Sequence, residues 1–344
     1  MRRVLHIVCL VAASAFLAVG PGAQVAAGDD GPTHSTRPDR PARSVLRPAE
    51  LAETAADGSS GKTVIIVLSG IGSDAADGTF GPLIAALGAD PGYEVHRFGA
   101  DPTYPYDTHG SIHDNADQLI AQIRALAKTH PKIEIVSHSM GGAVVDDAFR
   151  RGLSADDKVT TYIALAAPHN GSTEAQMAGP LLRLSGLIGT SSELRAITGA
   201  VAQDVGTAAV RDLAEVRHGP PPERVTRLDL RMATDAIVTG PDAWTPGVTS
   251  RILLPGTIGA IDGHGGVTTD PRAIALVTST LATGQVPPLD WRGAILDFAA
   301  RAVSAMIDQH APVLYGALGV GLFCGAAALA MYRRRRRLPF LLIA

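Results

Sequence analysis

Ile133-Glu134-Ile135-Val136-Ser137-His138-Ser139-Met140-Gly141-Gly142 is the stretch on which the reading of the whole chain turns. Ile133–Val136 is a short apolar run with strand character, and a helical pattern follows from Gly142 to Arg151. A turn that joins a strand to a helix this abruptly needs small residues two before and two after its apex. Here those residues are Ser137 and Gly141. The apex is Ser139, whose hydroxyl then projects above a sheet beside a helix N-terminus, where free amides favour developing negative charge. The string is a G-x-S-x-G elbow with serine in place of its first glycine, and it makes Ser139 the candidate nucleophile.

A free hydroxyl is a poor nucleophile at neutral pH, so Ser139 needs a base, and the base needs an acid to orient it. After such an elbow the partners follow in the order acid, then histidine. His169, His218, His264 and His310 come later in the chain. His169 lies directly after the next strand, too early to follow an acid. His218 is in a proline-rich stretch, and His310 abuts a long apolar run. His264, in Asp262-Gly263-His264-Gly265-Gly266, is the candidate base. For the acid, Asp235 stands just past the end of the strand Val225–Met232, where a loop can present it to the imidazole. Asp229 lies inside that strand, Asp262 is two residues from the histidine, and Asp242, in a loop beyond, is the reserve. An oxyanion formed by attack at a carbonyl needs two amide donors. The expected pair is Met140, immediately after the nucleophile, and Ile71, in the loop Ser69-Gly70-Ile71-Gly72-Ser73 after the first strand.

Outward from the elbow, strand and helix patterns alternate. Strands are expected over 63–68, 93–98, 133–136, 160–165 and 225–232, and helices over 80–88, 112–129, 142–151 and 271–281. Such alternation implies a parallel sheet covered on both faces, with ligands bound at the carboxyl ends of the strands. Residues 173–222 interrupt it with Pro180 to Gly189 and a helical stretch ending at Val216. This insertion is either a cap over the site or an excursion packed on the core.

The chain has 344 residues, 46% hydrophobic and 18% charged, enough for one large domain with appendages. Of 30 basic and 33 acidic residues, seven basic ones lie at the two ends: Arg2, Arg3 and Arg333–Arg337. Residues 28–310 therefore carry 23 basic against 33 acidic side chains, too anionic a body to displace counterions from nucleic acid. Cys9 and Cys324 are the only cysteines, both in apolar end segments, so the body has neither a disulfide nor a thiolate metal site.

Residues 1–27 have the form of a secretory signal, with Arg2 and Arg3 before an apolar run and Val25-Ala26-Ala27 before Gly28. An uncleaved anchor is the alternative. Residues 28–61 form a disordered linker rich in Pro, Asp, Ser and Arg. The domain proper is expected over 62–288, with the cap over 173–222. An amphipathic juxtamembrane helix follows over 289–310, with apolar Ile295, Phe298, Ala299, Val303, Met306 and Ile307 at helical spacing. Residues 311–332 carry no charge and are about 33 Å long as a helix, enough to span a hydrocarbon core. The arginines that follow place the 333–344 tail in the cytoplasm and the domain outside it.

The chain resembles α/β hydrolases of the lipase and esterase kind, near the lecithin–cholesterol acyltransferase-like and glycosylphosphatidylinositol-deacylase-like group. The resemblance covers residues 62–285. It is carried by Val67-Leu68-Ser69-Gly70-Ile71-Gly72, the Ser137–Gly142 elbow, Ala166-Ala167-Pro168-His169-Asn170-Gly171-Ser172, Asp235-Ala236-Ile237-Val238 and His264-Gly265-Gly266. Ser69 departs from that pattern where these lipases carry histidine, and Ser137 where they carry glycine. The resemblance implies an α/β-hydrolase fold: a mostly parallel sheet with helices on both faces and a helical cap insertion, here with one C-terminal transmembrane helix. It implies a Ser139–Asp235–His264 serine esterase acting on acyl or lipid esters, with no cofactor or metal. Transfer of the acyl group to an alcohol, cleavage of amides or thioesters, and a catalytically silent envelope-binding module are the alternatives.

Overall fold

The computed structural model describes residues 61–73, 78–173, 175–176, 207–216, 222–255 and 263–310. The expected signal, nearly all of the linker, most of the 173–222 insertion, the 311–332 span and the tail lie outside these. Among the described residues no helix is long and apolar enough to cross a membrane.

Six strands form one sheet: β1 (Thr63–Leu68), β2 (Tyr93–Arg97), β3 (Lys132–His138), β4 (Val159–Leu165), β5 (Thr226–Met232) and β6 (Thr249–Leu253), in the order β2-β1-β3-β4-β5-β6. Every pairing is parallel. β1, in the interior of the sheet, is a nearly continuous apolar run because both of its faces are covered, whereas β5 alternates Leu228 and Leu230 with buried Arg227, Asp229 and Arg231. In β1, Val64, Ile66 and Leu68 belong to one core, with α2 (Ile112–Leu126) and α3 (Met140–Arg150). Ile65 and Val67 belong to the other, with α1 (Gly81–Gly88) and α7 (Pro271–Thr283). All five of these side chains are buried, each stabilising the fold by about 1.5–3 kcal/mol relative to exposure.

The chain runs from β1 to β2 on one side, then crosses to β3 on the other. The loops after β1 and β3 therefore diverge at their carboxyl ends and leave a crevice. That switch point is where Ser69–Gly70 and Ser139 meet.

Five strands were expected, and the described residues contain six. β6 escapes a sequence pattern because it is an edge strand with a single buried residue, Ile252, and Arg251 interrupts its apolar run. The end of the insertion is fastened to the body. In α4 (Ala208–Glu215), Ala209 and Leu213 join the first core. Asp212 accepts from Ser111 Oγ at 2.9 Å and from the Ile112 amide at 2.8 Å, so one carboxylate supports the start of α2.

A last helix, α8, covers 291–310 and starts at Asp290, whose carboxylate accepts from the Gly293 amide at 2.7 Å. It meets the body through Ala300 and Val303 and, more extensively, through polar groups. Asp297 accepts from the Ile252 amide at 3.3 Å. Arg231 bonds Ser304 and Asp308, and Asp308 accepts from the Gly240 amide at 2.9 Å. Of the apolar residues expected on one face of this helix, Ile295, Phe298 and Met306 point outward.

Candidate active site

The elbow forms as its residue sizes dictate. Ser139 has φ 54° and ψ −131°, a sparsely populated conformation that costs about 1–3 kcal/mol and that the surrounding structure must hold in place. The hold is visible on both sides. The Ser139 amide donates to the Leu165 carbonyl at 2.9 Å, and its carbonyl accepts from the Gly142 amide at 2.9 Å. At Gly141 a Cβ would stand 2.8 Å from the Ser69 carbonyl oxygen, so only glycine fits. The other small position tolerates serine because it faces a polar neighbour: Ser137 Oγ is 3.2 Å from the Tyr162 hydroxyl.

The three side chains singled out in the sequence come together. His264 Nε2 lies 2.9 Å from Ser139 Oγ, and its Nδ1 lies 3.1 Å from Asp235 Oδ2. The carboxylate accepts from Nδ1–H, which leaves Nε2 free to accept the serine hydroxyl. Asp235 is fully buried, and its other oxygen accepts from the Ile237 and Val238 amides, each at 3.0 Å. Burial pushes the carboxyl upward, but His264, the Val238 amide and Arg231 outweigh it and hold Asp235 below the usual carboxylate range. His264 sits in α6 (Gly263–Gly266), pressed onto the acid loop: a Cβ on Gly263 would stand 2.3 Å from the Thr234 carbonyl carbon.

The reserve acid and the other aspartates are used elsewhere. Asp242, in α5 (Gly240–Ala243), accepts from Thr239 Oγ1 at 2.9 Å and from Thr173 Oγ1 at 2.8 Å, tying the root of the insertion to the loop after β5. It is a capping residue, not a partner of the imidazole. Asp229 binds Arg227. Asp262 and His218 lie outside the described residues.

On the oxyanion side, Met140 opens α3, so its amide has no carbonyl within the helix to bond. The loop bearing Ile71 passes close to the nucleophile: a Cβ on Gly70 would be 2.8 Å from Ser139 Cβ. Tyr106, which the sequence did not single out, fixes this loop by donating its hydroxyl to the Ser69 carbonyl at 2.7 Å. His138 was also missed. Its Nε2 donates to the His264 carbonyl at 3.0 Å, and the two rings lie 4.8 Å apart. Its position inside the elbow, beside the nucleophile, was the available signal.

A second buried cluster lies beneath α3. His169 Nδ1 is 2.5 Å from Asp146 Oδ2 and its Nε2 is 3.4 Å from Asp229 Oδ1, while Arg227 reaches both carboxylates. Burial and the neighbouring Arg227 guanidinium push His169 down, but the Asp229 and Asp146 carboxylates overcome both and raise the imidazole to about 9. A folded value above the unfolded one of about 6.5 contributes stability in full below that pH, and the contribution is lost as pH rises through about 9. The urea midpoint is expected to fall between pH 7 and 9.5, and His169→Gln should flatten that slope. An unchanged slope in the variant would show that His169 is neutral in the fold.

Among the described residues, no group of three His, Cys, Asp or Glu side chains is placed to hold a metal ion.

Residues 110–205 match the family model described as PGAP1-like alpha/beta domain. No curated protein sequence matches the chain. Among solved structures the chain is similar to Aspergillus fumigatus lipase B, with 18% identity and a TM-score of 0.45 over 78% of this chain and 63% of that one. It is similar to Bacillus licheniformis lipase BlEst2, with 15% identity and a TM-score of 0.46 over 66% and 94%. An esterase from Thermogutta terrifontis gives 17% identity and a TM-score of 0.44 over 66% and 92%.

Proposed function

We propose that this chain, an α/β hydrolase by fold, is a serine hydrolase of carboxylic esters held at a membrane by residues 311–332, with its catalytic domain outside the cytoplasm. The observation that carries the chemistry is the continuous hydrogen-bonded path from Ser139 Oγ through His264 to the buried Asp235. The support for the anchor is the charge-free run before Arg333–Arg337.

Ser139 Oγ bonds to the ester carbonyl carbon as its proton passes to His264 Nε2. Asp235 stabilises the imidazolium so formed, and the Met140 and Ile71 amides hold the oxyanion. Collapse breaks the carbon–oxygen bond to the leaving alcohol, which takes the proton from Nε2. A water, deprotonated by the same nitrogen, then attacks the acyl-enzyme, and Ser139 recovers its proton as the acid leaves.

Hydrolysis of p-nitrophenyl esters of graded acyl length by the full chain in detergent tests this reading. An alcohol added as competing acceptor distinguishes acyl transfer. Turnover that rises with chain length supports lipid esters as substrates, a short-chain optimum supports small ones, and no turnover by folded protein refutes the proposal.

His138 acts through His264. His138→Phe keeps the ring but loses the donor to the His264 carbonyl. One buried hydrogen bond contributes about 1–1.5 kcal/mol, so kcat should fall about tenfold. KM should hold, because the change displaces the imidazole and leaves the proposed oxyanion donors in place. A raised KM with unchanged kcat would remove His138 from this role.

A further inference from the structure

The helix over 291–310 is attached the wrong way round for an amphipathic helix of a globular domain. Such a helix buries its apolar stripe and shows its polar side to water. Here the side facing the body carries Asp297, Ser304 and Asp308, with Ala300 and Val303 the apolar contributions. Trp291, Ile295, Phe298 and Met306 lie along the opposite side, exposed at 68, 59, 75 and 65%. Leu296, on the flank, is 58% exposed. A row of large apolar side chains left outward over four turns marks a surface made for a partner.

We propose that this partner is the lipid bilayer surface, with the outward stripe lying at the boundary between headgroups and acyl chains. The inference rests on the anchored reading above and deepens it. Three observations choose lipid over a second copy of the chain. The helix leads within a residue into 311–332, so the stripe is held beside whatever bilayer that run enters. Pro312 stands at the junction, and proline is a residue type at which helices end or change direction. The stripe also starts with a tryptophan, a residue type enriched at membrane interfaces, and Arg292 lies over its ring at 5.1 Å, a cation placed for headgroup phosphates. Asp308 and Arg231 bolt the helix to both sides of the Asp235 loop. A helix seated on lipid therefore fixes the height and tilt of the catalytic site above its substrate surface.

The chain has two tryptophans, so Trp244→Phe leaves Trp291 as the sole reporter. The full-length variant would be reconstituted in phosphatidylcholine vesicles, with and without phosphatidylcholine brominated at a shallow acyl position. Trp291 emission is expected to be blue-shifted and to lose roughly half its intensity in the brominated vesicles. Adding Ile295→Ser and Phe298→Ser should return it to a water-like emission with little quenching, while turnover of a short soluble ester stays unchanged. Water-like, unquenched emission in protein that resists alkaline carbonate extraction overturns the inference and leaves the anchor standing. Blue-shifted emission that bromolipid does not quench and that varies with protein-to-lipid ratio also overturns it, in favour of a second copy. Release of the protein by carbonate removes the anchor and this inference together.

Discussion

Replacing Ser139 by alanine is expected to lower kcat/KM on p-nitrophenyl esters by about 10⁴- to 10⁶-fold, the range over which a nucleophile acting as one unit with its base is lost. The fold should survive. Ser139 is partly exposed, and the bonds that hold it in its strained conformation come from its own amide and carbonyl, to Leu165 and Gly142, and remain in the variant. A residual rate above that in water should persist, because the oxyanion donors proposed at Met140 and Ile71 are backbone amides that the substitution leaves in place. A fluorophosphonate reports the same residue independently of substrate choice. The wild-type chain should gain one phosphonyl adduct on the Ser139 peptide, and the alanine variant none. An adduct elsewhere, or wild-type turnover by the variant, would remove Ser139 from the reaction.

What could be read in the sequence depended on how local its cause was. β1 is legible to the residue because a strand covered on both faces must be apolar throughout, and Thr63–Leu68 is bounded by polar and glycine residues. The elbow is legible because sterics restrict positions two residues either side of Ser139. His264 and Asp235 are far apart in sequence, and chain order and strand ends were enough to select them. Neither could say why Asp242 is excluded, since the reason is Thr173 and Thr239 occupying its oxygens. The His169 cluster was not legible at all. Its members come from α3, β5 and the loop after β4, and nothing local marks one as the partner of another. Tyr106 is hidden for the same reason, its acceptor being a backbone carbonyl across the crevice. In the helix over 291–310 the period was visible but the orientation was not. Which side faces inward is set by Arg231 and the Gly240 amide, which draw Ser304 and Asp308 to the body.

Asp235→Asn should cost about 10⁴-fold in kcat while leaving the fold intact, through the wrong tautomer of its neighbour. The two backbone amides of Ile237 and Val238 require an oxygen at the Oδ1 position, so the asparagine must turn its NH₂ toward His264. That group donates to Nδ1, the proton moves to Nε2, and the nitrogen facing Ser139 can no longer accept. The pH profile follows from the same geometry. Asp235 is held below the ordinary carboxylate value, so it stays ionised throughout the working range, and kcat/KM of the wild type should rise along a single ionisation. The stability from this carboxylate is complete above the unfolded value of about 3.9 and is lost as pH falls through the lower folded one. Asp242→Asn is the paired control. It loses a cap and the tie to Thr173, so about 1 kcal/mol of stability should go while the rate stays within about threefold of wild type. Reversed outcomes, with Asp242→Asn inactive and Asp235→Asn near wild type, would transfer the orienting role to Asp242 and require a loop arrangement in which it reaches His264.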